Sequence, residues 1–359
     1  MAKIKVFVGV DNIAGNSKSI AEALRTVGIS ATSHSFKVHP FGYGCDRDNI
    51  LFRVQGKRSF FKKAIINKYS IRLIHGFQRS ILLIKSIIAY DVFIFVSVNN
   101  TILNKKRDLP ILKFFNKKVA FLFVGCPERN PNDKYNSEKG SYCSFCTDEK
   151  LKKYLNCDEL DTKAKGIRYI EKFADYIFSQ KDTLGFLKYP DKANYFYVLS
   201  DIVISENIDK FNADKVRITH FPSNSLLKGT KYVDAAIQQL DPSKIEYYSK
   251  RLSNDEVKVE LRKTNILVDQ FAHGYGLLAV EAMASGCVVV CKTKKWWRED
   301  YPDMPIVSCE PEELADVLKC LIGDRKRMKS LAMQGIEYYK SVHSLKVVGN
   351  YYKKIMELE

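Results

Sequence analysis

Short runs of consecutive apolar residues recur along the chain, separated by polar turns and by stretches with helical spacing. Val92 to Val96, Val119 to Val124, Ile266 to Val268 and Cys287 to Val290 lack polar alternation, which predicts strands buried on both faces, and Lys3 to Val10 reads as a further strand. Tyr176 to Ser179 is a shorter run of the same kind. Between them, Ser19 to Val27 predicts a helix ending at Gly28, and Leu277 to Ala284 a helix closed by Gly286. This alternation predicts an α/β protein with parallel sheets covered by helices on both faces. At 359 residues the chain has material for two domains, each with its own core. The boundary is expected in the mixed apolar and acidic stretch Phe196 to Phe211, giving units of 1–205 and 206–343 and a last helical segment of 344–359.

Two segments carry candidate chemistry. In NILVDQFAHGYGLLAVEAMASGCVVVCKT, from Asn265 to Thr293, a strand runs into Gly274-Tyr275-Gly276, then a helix, then a second strand. A helix start offers unpaired N–H groups and a positive dipole end, and glycines there let a phosphate or sugar reach the main chain. Glu281, five residues after Gly276, is close enough to that start to accept hydrogen bonds from a ribose diol; the same pattern also serves as a plain turn with a solvated glutamate. From Lys215 to Leu240 a strand, Val216 to His220, leads through Pro222-Ser223-Asn224-Ser225 to Lys228-Gly229-Thr230 opening an amphipathic helix. A lysine at a helix mouth is a point charge suited to a leaving diphosphate, or simply a surface lysine in a turn.

The Lys-Gly-Thr followed some fifty residues later by G-X-G-(X)4-E-A-M-A-X-G resembles the C-terminal half of retaining glycosyltransferases of the GT-B fold, family 4 or group 1. The resemblance implies two Rossmann-like domains facing a central cleft, with the final helix crossing back to the first domain. It also implies transfer of a sugar from a nucleotide-diphosphate donor, with retention, to a glycan or lipid-linked acceptor hydroxyl. By resemblance Lys228 meets the donor diphosphate together with Ser223, Asn224, Gly229, Thr230 and the main chain of Gly274, Tyr275 and Gly276. Glu281 holds the ribose, and His273 with Asp269 orients the donor sugar. The chain departs from the family pattern where His273 replaces a glutamate, and where Pro222-Ser223-Asn224 stands in place of an arginine. In the resembled family the loop after the first strand faces the cleft, which places Gly15 and Asn16 beside the donor phosphate or acceptor; read alone, Gly15 merely permits a turn. No divalent ion is required for such chemistry. Nucleotide-sugar 2-epimerases share this architecture and remain an alternative.

Charge and cysteines add two features. The formal net charge is +17, and no acidic residue stands between Asp48 and Asp91. There Arg53, Lys57, Arg58, Lys62, Lys63, Lys68, Arg72, Arg79 and Lys85 alternate with large apolar residues, making 49–90 a basic segment. Such a segment suits an anionic membrane surface or nucleic acid, and equally an amphipathic helix pair with solvated lysines. A GT-B reading leaves nucleic acid the less favoured partner. Four of the nine cysteines, Cys126, Cys143, Cys146 and Cys157, fall in the charged stretch 126–157, and Cys143-Ser-Phe-Cys146 has zinc-knuckle spacing. They read as a structural zinc site or as free thiols, and a basic zinc-containing nucleic-acid-binding protein is the reading that would use both features. Asp46-Arg47-Asp48 is read as coincidence, since no matching domain organisation surrounds it. No signal segment and no run of 18 apolar residues is present, so the expected location is cytoplasmic, with peripheral contact at the inner face of the plasma membrane a further expectation.

Overall fold

A computed structural model describes residues 3–49, 68–137, 141–147, 149–154, 157–272 and 274–359. Among these, strands β1 (Lys5–Gly9), β2 (Ser30–Ser35), β3 (Arg47–Asp48), β4 (Val92–Val96), β5 (Lys118–Leu122), β6 (Tyr176–Ser179) and β7 (Asn194–Tyr195) form one parallel sheet in the order β3-β2-β1-β4-β5-β6-β7. Helices α1 (Asn16–Thr26), α2 (Lys68–Ala89), α3 (Asp108–Phe114), α4 (Tyr142–Phe145), α5 (Glu149–Tyr154) and α6 (Leu160–Glu171) connect them. A second parallel sheet takes β8 (Val216–His220), β9 (Ile245–Ser249), β10 (Ile266–Val268), β11 (Val288–Val290) and β12 (Ile306–Val307) in the order β12-β11-β10-β8-β9. Its helices are α7 (Ser225–Lys228), α8 (Thr230–Ile237), α9 (Asn254–Leu261), α10 (Leu277–Ala284), α11 (Lys295–Asp300), α12 (Leu314–Gly323) and α13 (Arg325–Tyr338), with α14 (Leu345–Ile355) last.

The apolar runs explain the sheets. All five residues of β4 are buried, as are all three of β10 and of β11, so these strands lie in the middle with helices on both sides. Register follows: Val8 sits between Ser33 and Ile94, and Leu267 between Thr219 and Val289. Each sheet turns one face to a core of its own. Phe93, Phe95, Phe121, Leu109 and Ile167 fill one, and Ile218, Val268, Val290, Leu318 and Met328 the other.

A third core crosses between the two units. It joins Val8, Ile20 and Leu24 to Tyr275, Met283, Val289 and Trp297, with Tyr352 and Met356 from the end of the chain among them. Helix α14 closes this core by lying against α1. A Cβ at Gly349 would collide with the Ala23 carbonyl oxygen, so glycine sets how closely the two helices approach. The Lys118 ammonium and the Tyr176 hydroxyl donate to the Met356 carbonyl at 3.1 and 3.4 Å, tying the chain end to the first unit. The two Rossmann-like units thus face each other as in the GT-B fold, with the ends of their strands turned toward a shared cleft.

Candidate functional site

The lysine loop is built by Asn224. Its side-chain oxygen accepts the N–H groups of Leu226 and Leu227 at 3.0 and 3.1 Å, capping α7. Lys228 therefore ends a single turn rather than opening the following helix, and Gly229 in the left-handed region (φ +72°) starts α8 afresh. A Cβ on Gly229 would lie 2.8 Å from the Phe271 ring, which restricts this position to glycine. The Thr230 hydroxyl is engaged with His220 Nε2 at 3.0 Å, while His220 Nδ1 donates to the Val268 carbonyl at 2.8 Å. Lys228 Nζ pairs with Asp269 Oδ1 at 2.6 Å. The Asp269 side chain is fully buried, and its second oxygen has no hydrogen-bond partner among the described residues.

The glycine turn follows β10. Gln270 Nε2 donates to the Gly274 carbonyl at 2.9 Å, and Gly274 adopts φ +68° with its Cα against Trp297, where a Cβ would come within 2.8 Å of the indole nitrogen. The Tyr275 side chain is buried in the core, its hydroxyl 3.1 Å from His343 Nε2. Gly276 precedes α10, whose start carries no side-chain cap. Its first N–H groups are left for a ligand or solvent. His273 lies outside the described residues.

Glu281 sits on α10 and is buried. Its Oε1 accepts from the Ser200 hydroxyl at 3.1 Å and from Asn254 Nδ2 at 3.2 Å. Burial raises its pKa to about 7, against the pull of Asn254, Lys258 and Ser200. Asn254 is set by a capping box in which the Ser253 hydroxyl accepts the Glu256 N–H and the Glu256 carboxylate accepts the Ser253 N–H at 2.8 Å. Its own N–H donates to the Phe41 carbonyl at 3.0 Å, a bond between the two units.

From the first unit, Gly15 (φ +75°) lies against Tyr43, where a Cβ would come 2.9 Å from the ring. Asn16 Nδ2 donates to the Ile13 carbonyl at 2.9 Å. A cavity of about 490 Å³ opens between the units. Asn16, Ser223, Lys228, Tyr275, Gly276 and Glu281 line it, together with Tyr43, Phe41, Arg251, Asn254 and Gln270. Asn224, Gly229, Thr230, Gly274, Asp269 and Gly15 stand behind this lining and shape it.

Cys126 also lines the cavity, with Arg129 and Tyr142. Arg129 Nη1 donates to Cys126 Sγ at 3.5 Å, Arg129 Nε donates to the buried Asp182 at 2.7 Å, and the guanidinium lies 4.6 Å over the Tyr142 ring. Cys126, Cys143, Cys146 and Cys157 form no disulfide among the described residues, and burial pushes the Cys143 thiol up to about 11. Among the described residues no three His, Cys, Asp or Glu side chains gather as a metal site.

Sequence reasoning missed Ser200, Asn254 and Arg129, which reach the site from distant parts of the chain, and Gln270, which lies within the glycine-turn segment itself. One signal was present for Asn254, the Ser253-x-x-Glu256 box that begins its helix.

No family model matches the sequence, and no curated protein does. Solved structures do match. HepE from Anabaena in complex with UDP and glucose is similar over 99% of both chains at 12% identity, with a TM-score of 0.62. Sucrose-phosphate synthase from Thermosynechococcus elongatus matches over 99% of this chain and 98% of its own at 12% identity and a TM-score of 0.64. WaaG, a glycosyltransferase involved in lipopolysaccharide biosynthesis, matches over 98% and 99% at 12% identity and a TM-score of 0.56. The MnaA-UDP structure from S. aureus is also similar, over 100% and 98% at 12% identity and a TM-score of 0.51. These likenesses and the two facing parallel sheets establish the fold: the chain has the GT-B fold.

Proposed function

We propose that the chain is a glycosyltransferase that moves a sugar from a nucleotide-diphosphate donor to a glycan or lipid-linked acceptor hydroxyl, with retention at the anomeric carbon. The observation that carries the reading is the meeting, in one interdomain cavity, of Lys228, the uncapped start of α10 at Gly276 and the buried Glu281. That set has the three chemistries that a nucleoside diphosphate needs. The ammonium and the free N–H groups take the phosphates, and the carboxylate takes two ribose hydroxyls. A glycosyltransferase fold with UDP in HepE supports the same assignment.

As the sugar–phosphate bond breaks, negative charge grows on the leaving diphosphate. Lys228 and the α10 N–H groups stabilise it there, where one well-placed donor is worth roughly 3 kcal/mol, or about a hundredfold in rate. Asp269, buried behind the lining, holds the ammonium in place from below rather than meeting the sugar, and orienting the sugar is left to His273. Tyr43, Asn16 and the Arg129–Cys126 wall face the acceptor side. No divalent ion enters the proposed chemistry, and no step runs through the cysteines.

Binding of a panel of nucleoside diphosphates and their sugars, read by thermal shift, tests the donor site. Selective stabilisation by one base, lost when Lys228 and Asp269 are replaced together by Ala and Asn, is expected. No shift from any of them overturns the reading. A 2-epimerase is the second reading, favoured by the likeness to MnaA bound to UDP. Nucleotide release that requires an acceptor supports transfer; an altered sugar still attached to nucleotide, formed without acceptor, supports epimerisation.

A further inference from the structure

Helix α2 contains no acidic residue, and its sides divide by burial. Leu83 and Ser86 are buried, and Arg79 folds in beside them, its guanidinium 4.4 Å over the Phe36 ring and donating to the Ile102 carbonyl at 2.7 Å. That side packs on the first sheet. Leu73, Phe77, Ile81, Ile84 and Ile88 are instead exposed by 75, 68, 36, 61 and 82%. At about 100° per residue these five positions fall within roughly 80° of arc on the side opposite Ser86 and Arg79, along roughly 22 Å of axis.

The pattern is not the ordinary scatter of surface hydrophobics. Five of the fifteen large exposed apolar side chains among the described residues stand on this one helix in one line. A surface helix normally spends its apolar arc on the core; α2 has one arc for the core and a second one facing out. The charge beside that arc has one sign. Exposed Lys85 lies beside the arc, exposed Arg72 lies round toward the side of Arg79, and no carboxylate occurs between Asp48 and Asp91 to oppose an anionic partner. Helix α3, which shares the core under α2 through Leu109 and Leu112, also ends in exposed Phe114 and Phe115, followed by Lys117 and Lys118.

We infer that the outward stripe of α2 docks on an anionic lipid bilayer. The five side chains enter the boundary between headgroups and acyl chains while Lys85 beside them meets lipid phosphates, in the manner of a helix lying in the membrane plane. No helix among the described residues is long and apolar enough to cross a membrane, so the contact is made from one side. The inference deepens the reading of a lipid-linked acceptor and rests on it for its purpose, while the binding itself is measured without donor or acceptor.

The test is co-sedimentation of the full chain with vesicles of phosphatidylcholine alone or mixed with phosphatidylglycerol, using wild type and the double variant Phe77→Asp/Ile84→Asp. Both positions are exposed, so the variant should keep the wild-type melting temperature and nucleotide-induced thermal shift. Binding to the anionic vesicles, weakened by added salt and reduced about tenfold or more in the double variant, is expected. Lys85→Glu should reduce binding to anionic vesicles and leave the neutral ones unaffected. Equal binding of wild type and double variant, or none to either vesicle, overturns the inference. So does a dimer in sedimentation velocity that the same double variant dissolves, since the stripe would then belong to a second copy. A variant that loses vesicles and keeps its nucleotide shift separates this contact from the donor site.

Discussion

Lys228 and Asp269 act as a pair, and that changes what a substitution at either one should do. The carboxylate is fully buried with one oxygen unpartnered, so removing the ammonium leaves a buried charge uncompensated. Breaking such a pair from one side commonly costs about 3–5 kcal/mol. Lys228→Ala is expected to lower the melting temperature as well as turnover. Lys228→Ala with Asp269→Asn should regain most of the stability and none of the turnover; thermal melts and initial rates on the two proteins check this. Glu281 supplies a pH-dependent prediction. Its pKa rises from 4.5 to about 7 on folding, so the folded chain holds the proton more tightly than the unfolded one. Stability is therefore expected to fall as pH rises from roughly 4.5 to 7, by about 3 kcal/mol for this group. Urea unfolding at several pH values should show Glu281→Gln with a flatter profile, and an identical slope in both proteins would remove the assignment. Ribose hydroxyls would donate to the ionised carboxylate, so nucleotide affinity should decline below pH 7 in the wild type only. Lys228 and Glu281 were legible because each sits in a short local pattern. Their partners Ser200 and Asn254 were not, because what places them beside Glu281 is packing between segments far apart in sequence.

At the scale of elements, the strands read most directly were those buried on both faces. Val92–Val96, Ile266–Val268 and Val288–Val290 have no polar alternation, and their two-sided burial is the reason. The two-residue strands Arg47–Asp48 and Asn194–Tyr195 left no such trace, since pairing at a sheet edge needs no apolar run. Lys228-Gly229-Thr230 was read as the mouth of the next helix, whereas Lys228 ends the separate turn Ser225–Lys228. The sequence shows Gly229 but not that Phe271 forbids any side chain there. The Cys143-Ser-Phe-Cys146 spacing suggested a metal set, but the other two spacings of the cluster carry no geometric constraint. Helix α14 gives this scale its prediction. Gly349→Ala inserts a methyl group against the Ala23 carbonyl and forces α14 away from α1. Overpacking of this kind costs about 1–3 kcal/mol. The melting temperature should drop, whereas Gly323→Ala, at a glycine with open space around it, should change it little.

The whole molecule is two sheets joined by a common core. Because Val8 and Leu24 share that core with Met283, Val289 and Tyr352, neither unit has a complete interior alone, which explains why the chain's last helix returns to the first. The cavity lies where this core stops, so its walls come from both units and its width depends on how they sit. The bond from the Asn254 N–H to the Phe41 carbonyl spans that opening and belongs to the residue that also holds Glu281. Parting of the units breaks it and exposes a single backbone amide to solvent. Deuterium uptake at Asn254 is therefore a clock for the opening of the cleft, and bound nucleotide, by engaging Glu281, should slow it while leaving amides in the middle of β4 unchanged.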